Sequence, residues 1–252
     1  VAIAGLGGLG SNIAMYLARA GVGHLHLVDF DKVDITNLNR QQYDIADLGT
    51  LKTDALTKNI KRFNPFIEIT SQCVKVNEDN AAEIISFIDR NFGGSVLLIG
   101  GLSLGGQILL EMLSRRKDLC RFAMVESAAV IPSKLTYSLI KPAFGSCYGL
   151  IRQKWFSKLQ FRSLRMKPEL FNDYYQDTCG ITKQNMIAFL QESSMYFMKK
   201  SLGKCVAEIH LFVGERENKR ILLSARKLHE TLEKSSLNVL PAMYHGEFSI
   251  NH

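Results

Sequence analysis

The sequence predicts an α/β fold, a doubly wound and mostly parallel sheet with a helical lid insertion. Apolar runs of strand length alternate with segments in which apolar residues recur at helical spacing, along most of the 252 residues. Residues 132–200 break this alternation with helical, polar and aromatic patterns alone, which predicts an inserted lid. We expect the predicted strands to join one continuous sheet in the order 3-2-1-4-5-6-7.

Composition is typical of a globular chain with excess positive charge. Hydrophobic residues make up 46% of it, enough for a core, and the formal net charge is +7. The five cysteines lie far apart without a Cys-x-x-Cys pair, which excludes a zinc ribbon or disulfide framework and favours reduced thiols in the cytoplasm. No apolar run is long enough to span a membrane. Because the chain begins at Val1 inside a predicted strand, we expect residues upstream.

Much of the positive charge lies in one amphipathic segment. Between Arg152 and Lys167 there are six basic side chains and no acidic one, interleaved with aromatic and leucine residues. Three interpretations stay open: a solvated outer face of the lid, a surface that binds anionic membranes, or a nucleic-acid surface. We adopt the solvated face, so no nucleic-acid partner is expected.

The chain opens with a predicted βαβ unit that contains a glycine-rich turn. Strands at residues 1–4 and 24–29 flank a helix at about residues 12–20. In such a turn, bare backbone approaches a phosphate while the helix N-terminus supplies N–H donors. A carboxylate after the second strand stands where a ribose-binding group is expected. The candidate nucleotide-binding residues here are Gly5, Gly7, Gly8, Gly10, Ser11 and Asp29.

The glycine motif at residues 5–11, joined to the run Asp-Phe-Asp-Lys-Val-Asp-Ile-Thr-Asn-Leu-Asn-Arg-Gln at residues 29–41, resembles the ThiF and molybdopterin-synthase adenylyltransferase family. The resemblance implies a Rossmann-like half over residues 1–85 that binds ATP. It also implies adenylation of the C-terminal carboxylate of a ubiquitin-like sulfur-carrier protein. The further phosphate contacts that it implies are Asn37, Arg40, Gln41 and Lys52.

One part of that family's pattern is missing. The family calls for a strand that ends in an aspartate carrying Mg²⁺, followed by an Asp-Asn pair, but the corresponding strand here ends in Gly100, Gly101, Leu102 and Ser103. A transferring phosphoryl group needs a metal or an equivalent charge beside it. We therefore expect ATP binding without a Mg²⁺ site, and adenylation becomes the alternative function.

The second half is organised around a predicted strand, turn and helix at residues 96–113. A strand-length apolar run ends at Ser103, after which apolar residues return at helical spacing. The Gly-x-Ser-x-Gly spacing suits a nucleophile with a strained backbone, since Gly101 and Gly105 let the strand and helix pass closely. The same pattern also occurs as a packing device or a phosphate loop, so a histidine and an acid are needed to define a hydrolase.

Both groups follow, and with them residues 86–252 resemble the α/β-hydrolase family. Further strands are predicted at residues 121–126, 207–213 and 237–241, with the cap at about 132–200 between the first two. The resemblance implies a serine hydrolase of small acyl esters that requires no cofactor. Its nucleophile would be Ser103, its base His245, and its acid Glu217 or, as the alternative, Glu215.

The hydrolase family's own oxyanion loop has no counterpart in this chain. In one continuous sheet the first and fourth strands would be neighbours, so we expect the N–H groups of Leu6 and Gly7 to complete an oxyanion hole with that of Leu104. The whole chain then looks like a fusion of two α/β halves that meet near residues 77–92. Three functions stay open, in this order: serine hydrolase, adenylyltransferase and inactive nucleotide-binding fusion. The oligomeric state is also open, with a homodimer among the alternatives.

Overall fold

The fold was analysed in a computed structural model, which describes residues 1–38, 41–73, 81–163, 168, 171–180 and 182–251. The described strands are β1 (Ala2–Ala4), β2 (His24–Val28), β3 (Glu68–Gln72), β4 (Val96–Leu102), β5 (Cys120–Glu126), β6 (Glu208–Gly214) and β7 (Ser235–Leu240). The described α-helices are α1 (Gly8–Arg19), α2 (Lys52–Lys61), α3 (Ala81–Phe92), α4 (Leu104–Arg115), α5 (Lys134–Ile151), α6 (Lys154–Ser163), α7 (Phe171–Gly180), α8 (Lys183–Met195), α9 (Lys219–Thr231) and α10 (Glu247–Asn251).

The chain divides into two compact units, Val1–Asn77 and Glu78–His252. The first contains a sheet of order β1-β2-β3 and the second a sheet of order β4-β5-β6-β7, and every strand pair is parallel. The α/β class and the order within each half are confirmed. The single continuous sheet is wrong. β1 and β4 are edge strands of separate sheets, and Leu97 and Leu98 of β4 are 67% and 48% exposed, so an apolar pattern by itself specifies no pairing of β1 with β4.

The first unit is built around β2, the central strand of its sheet. Leu25 and Leu27 of β2 are fully buried, as are Leu56 and Ile60 of α2. These side chains belong to one cluster because α2 places residues four apart on the same face. The cluster holds the sheet in place, and the glycine-rich turn lies directly after its strand β1.

The second unit buries α4 and α9 against its four strands. Leu109 and Leu113 of α4 and Ile209 and Leu211 of β6 are among its fully buried side chains. The insertion predicted at residues 132–200 consists of α5 to α8, which lie between β5 and β6 in the chain. It begins after β5, and the two strands on either side of it, β5 and β6, still pair directly with each other.

The described cysteines Cys73, Cys120, Cys179 and Cys205 are free thiols. Burial raises the pKa of Cys120 to about 12, so this thiol stays protonated and unreactive at neutral pH. Within the described residues, no helix has both the length and the apolar character needed to cross a membrane.

Helix α1 has no room for a side chain at Gly10, where the helix passes the preceding turn. A Cβ there would overlap the carbonyl oxygen of Gly5, and this backbone atom has no rotamer by which to move away. We expect Gly10→Ala to lower the free energy of unfolding of the first unit by about 1–3 kcal/mol or more, as overpacking does. Urea denaturation followed by circular dichroism measures this change.

The matched control is Gly149→Ala in α5, another helical glycine. An added Cβ at Gly149 meets nothing within 4 Å. Because alanine is favoured over glycine inside a helix by about 0.5–1 kcal/mol, this variant should be as stable as the parent or more so. An unchanged unfolding midpoint for Gly10→Ala would show that β1 and α1 do not approach as closely as the structure has them.

Candidate active site

Ser103 occupies the strained turn between β4 and α4. Its φ is 55°, in the left-handed region that side-chain-bearing residues rarely adopt and that costs about 1–3 kcal/mol. The Ser103 N–H donates to the carbonyl oxygen of Glu126, at the end of the neighbouring strand β5, at 2.8 Å. This bond holds the strained conformation, which is the one that the Gly-x-Ser-x-Gly spacing predicts.

Close packing around the turn depends on two glycines, one of which the motif identified. A Cβ at Gly101 would overlap the backbone of Gly105, as expected for a strand and helix that pass closely. Gly105 itself has open space around its own Cβ position, so the reason given for a small residue there is wrong. The second tight position is Gly106, whose added Cβ would lie 2.9 Å from that of Ala128.

Ser103, His245 and Glu217 form a continuous hydrogen-bonded chain. The His245 Nε2 atom lies 3.0 Å from the Ser103 Oγ atom, and its Nδ1 atom lies 2.8 Å from Glu217 Oε2. With a carboxylate at Nδ1, the favoured tautomer carries its proton there and leaves Nε2 free to accept one from the serine. These three residues follow β4, β7 and β6, so the carboxyl-terminal edge of the second sheet brings them together.

The Glu217 carboxylate is buried and surrounded by donors. Its side chain is 0% exposed. Burial alone raises the pKa of Glu217, but hydrogen bonds from His245, from the Ser127 hydroxyl and from the Gly214 N–H outweigh that effect and leave the pKa below its usual value. Glu217 is therefore an anion at neutral pH and stabilises a positive charge on His245.

Ser127 is a site residue that the sequence did not reveal. Its hydroxyl donates to Glu217 Oε1 at 2.5 Å, and the residue is 3% exposed. Its φ is 57°, so a second strained turn follows β5 as one follows β4. The signal that marks it is a serine directly after a strand, next to a buried glutamate, but nothing in the pattern tells this serine from others.

The alternative acid lies elsewhere. The Glu215 carboxylate accepts from the Ala242 N–H at 2.8 Å and its residue is exposed. It thus braces the loop that leads towards His245. A second brace comes from α10, where the Ser249 hydroxyl donates to the Glu126 carboxylate. Of the two acids considered from the sequence, Glu217 is the one in contact with the histidine.

The three expected oxyanion donors belong to two different units, Leu6 and Gly7 to the first and Leu104 to the second. Leu104 is the first residue of α4, where helix N–H groups have no partner within the helix. The Leu6 N–H donates to Asp29 Oδ2 at 2.5 Å, so its predicted role is wrong because the amide is already engaged. The role of Gly7 assumed that β1 and β4 are neighbours, and these strands belong to different sheets.

The first unit presents the glycine turn and its carboxylate together. α1 begins at Gly8, after Gly7 as its N-cap residue, and Gly5 has a φ of 86°. Ser11 donates its hydroxyl hydrogen to the Gly7 carbonyl at 2.6 Å. Asp29 accepts from the Asp31 N–H at 2.8 Å as well as from the turn, so this carboxylate fixes the shape of the loop. Gly10, in the first turn of α1, packs against the backbone of Gly5.

The other expected nucleotide contacts have differing surroundings. Lys52 pairs with Asp31 at 3.0 Å and is 6% exposed, while the Asn37 side chain accepts from the Asp34 N–H. Gln41 is 5% exposed, and its Oε1 atom finds no hydrogen-bond partner among the described residues. Arg40 lies outside the described residues.

Gln41 and the glycine turn place polar groups in two parts of the first unit. Gln41 and Asn12 line a cavity of about 760 Å³ in the first unit, whereas Gly5, Gly7, Asp29 and Lys52 are not among its lining residues. The turn and the start of α1 add N–H donors of the kind that hold phosphates. Among the described residues, no group of three or more His, Cys, Asp or Glu side chains is placed to hold a metal ion.

Residues 1–92 match the model of the ThiF family. Over 88 residues the chain is 43% identical to a molybdopterin-synthase adenylyltransferase of Haemophilus influenzae, and over 86 residues it is 36% identical to a sulfur carrier protein adenylyltransferase of Thermus thermophilus. Each match covers 34% of this chain. The matched segments span 36% and 32% of those relatives, about a third of their length.

A solved esterase from Exiguobacterium antarcticum has a similar fold. The likeness covers 71% of this chain and 70% of the esterase, with a TM-score of 0.56 and 16% sequence identity. At that identity the likeness concerns the fold alone. A ThiF family domain therefore occupies residues 1–92, and the chain also contains the α/β-hydrolase fold.

Proposed function

We propose that the second unit is a serine hydrolase that acts on small acyl esters. The observation that carries the proposal is the hydrogen-bonded chain from Ser103 through His245 to the buried Glu217. Three groups that must act in order are linked at 3.0 and 2.8 Å, the distances that proton transfer requires. The four described free thiols support the cytoplasm as the compartment that we propose.

Each residue has one role in this mechanism. The Ser103 Oγ attacks the ester carbonyl carbon while His245 Nε2 takes the hydroxyl proton, and the carbonyl oxygen becomes an oxyanion. The donor that we assign to that developing charge is the Leu104 N–H, at the start of α4. When the tetrahedral intermediate collapses, His245 returns the proton to the leaving alcohol. Water then attacks the acyl group on Ser103 while His245 again takes the proton, and the acid is released as the proton returns to the Ser103 oxygen.

Glu217 acts through the imidazole. It accepts the Nδ1 hydrogen of His245 and so fixes the tautomer that can receive the serine proton at Nε2. Because its pKa lies below the usual value, it stays ionised while His245 is protonated and lowers the energy of that ion pair. Ser127 and Gly214 hold the carboxylate in the orientation that this requires.

We expect a fluorophosphonate probe to label the protein on Ser103. Ser103→Ala should abolish labelling and lower the hydrolysis of p-nitrophenyl acetate about a thousandfold or more, as loss of a nucleophile does. Ser114→Ala is the matched control, since Ser114 lies on the same helix, α4, with its hydroxyl bonded to the Glu111 carbonyl. If labelling persists in Ser103→Ala, the hydrolase proposal fails.

We expect the two glutamates of the β6–α9 loop to differ sharply. Glu217→Gln leaves His245 without its anionic partner and should lower kcat about a hundredfold or more. Glu215→Gln removes a brace of the loop and should leave kcat near that of the parent. Steady-state kinetics on the same ester compares them, with near-ultraviolet circular dichroism as a check of folding. Equal losses would show that Glu217 has no special role.

A second candidate function is the ATP-dependent adenylation of the carboxylate of a sulfur-carrier protein. The observation that favours it is the ThiF family match over residues 1–92, with relatives named as adenylyltransferases. Asp29, Gln41 and Lys52 would hold the nucleotide in the first unit. The chain lacks the aspartate that would place Mg²⁺, which is why we rank this function second.

We expect ATP to bind without supporting adenylation. A thermal-shift titration should show an increase in Tm with ATP that is absent in Gln41→Ala, because the buried Gln41 oxygen is then lost. In the same samples, ATP–pyrophosphate exchange with Mg²⁺ and a sulfur-carrier protein should stay at background. Exchange above background would make adenylation the function of the first unit.

A further inference from the structure

The lid holds the net charge of the protein. Residues 132–200 contain eleven Lys and Arg against four Asp and Glu, an excess of seven that equals the formal net charge of the whole chain. The rest of the chain is balanced in charge. A positive field concentrated on one segment attracts an anionic partner to that segment.

Within the lid, helix α6 presents cations and apolar side chains on one exposed face. Trp155 and Leu159 are one helical turn apart and are 64% and 60% exposed. Lys154, Lys158 and Arg162 are also exposed and repeat every four residues. At helical spacing, this row of cations runs directly beside the apolar pair.

The other side of α6 differs from this exposed face because it is buried. Ser157 and Phe161, which lie across the helix from Trp155 and Leu159, are buried. Arg152, just before α6, makes hydrogen bonds within the lid: its guanidinium donates to the Tyr148 hydroxyl and to the Cys179 carbonyl. The exposed face of α6 is therefore a distinct surface with its own composition.

We infer that the exposed face of α6 docks onto an anionic lipid surface. Tryptophan is favoured at the membrane–water interface, where its ring is apolar and its N–H stays wet, and a leucine beside it enters the acyl boundary. Lysine and arginine next to these side chains pair with anionic headgroups. Nucleic acid would also attract the cations but would give the exposed leucine nothing to enter.

This docking does not depend on the proposed hydrolysis. It needs the lid's charge and the face of α6, neither of which includes a residue of the hydrogen-bonded chain at Ser103. The Ser103→Ala variant should therefore bind lipid as the parent does, so failure of one proposal is distinguishable from failure of the other.

The tryptophan itself reports the docking, because Trp155 is the only tryptophan in the chain. We expect the emission of the full chain to shift to shorter wavelength when vesicles of phosphatidylcholine with about a third phosphatidylserine, an anionic lipid, are added. Vesicles of phosphatidylcholine alone should produce little shift. Salt at about 1 M, where the Debye length is about 3 Å, should weaken the response.

Two matched double variants test the surface. Lys154→Gln with Lys158→Gln should lower the partition coefficient for anionic vesicles about thirtyfold, since each basic residue near such a surface contributes about one factor of five or six. Lys219→Gln with Lys227→Gln removes two exposed cations of α9, near the exposed Leu223, and should leave binding unchanged. Co-sedimentation measures the partition coefficient.

Several outcomes would overturn the inference. One is an emission that shifts with neither kind of vesicle, or equally with both. Another is an equal loss of binding in the two double variants, which would assign the effect to net charge alone. A shift with an oligonucleotide and none with anionic vesicles would assign the face to nucleic acid.

Discussion

The buried carboxylate of Glu217 is the interaction on which the candidate site depends. It accepts hydrogen bonds from the Gly214 N–H at the end of β6, from Ser127 after β5 and from His245 after β7. One anion thus ties together the ends of three neighbouring strands. A hydrogen bond to a charged group contributes about 1.5–3 kcal/mol, and a buried carboxylate that loses its donors takes up a proton instead. Protonated, it would hold the imidazole less firmly and would no longer stabilise its charge.

The sheet also holds two strained turns in place. Ser103 and Ser127 have φ values of 55° and 57°, and each directly follows a strand. Their N–H groups donate to the carbonyls of Glu126 and Phe212, so the parallel ladder continues one residue beyond the strands. Residues held this way cluster at functional sites because the surrounding hydrogen bonds outweigh the cost of the conformation. In this sheet the two turns place one hydroxyl at the histidine and the other at the acid.

The sequence predicted the parts of the site that follow from chain order. Parallel strands that succeed one another bring their carboxyl ends to one edge, so a serine, an acid and a histidine after β4, β6 and β7 were bound to come close. Ser127 and Gly106 could not be found, because their roles depend on how closely neighbouring turns approach. The pairing of β1 with β4 failed for a related reason. Strand patterns predict burial without naming the neighbouring strand, and β4 leaves Leu97 and Leu98 exposed at the edge of its own sheet.

Helix α3 lies just after the boundary between the two units along the chain. The ThiF family match extends to residue 92 and so includes α3, yet the compact division of the chain assigns α3 to the second unit. Ala81 and Ile88 of α3 are buried in the same cluster as Leu109 and Leu113 of α4. A helix that matches one family thus covers the core of a sheet with another family's fold. Because that core would lose apolar partners without α3, the second unit depends on the start of this helix, Ala81 included, which lies before the residues that resemble the α/β-hydrolase family.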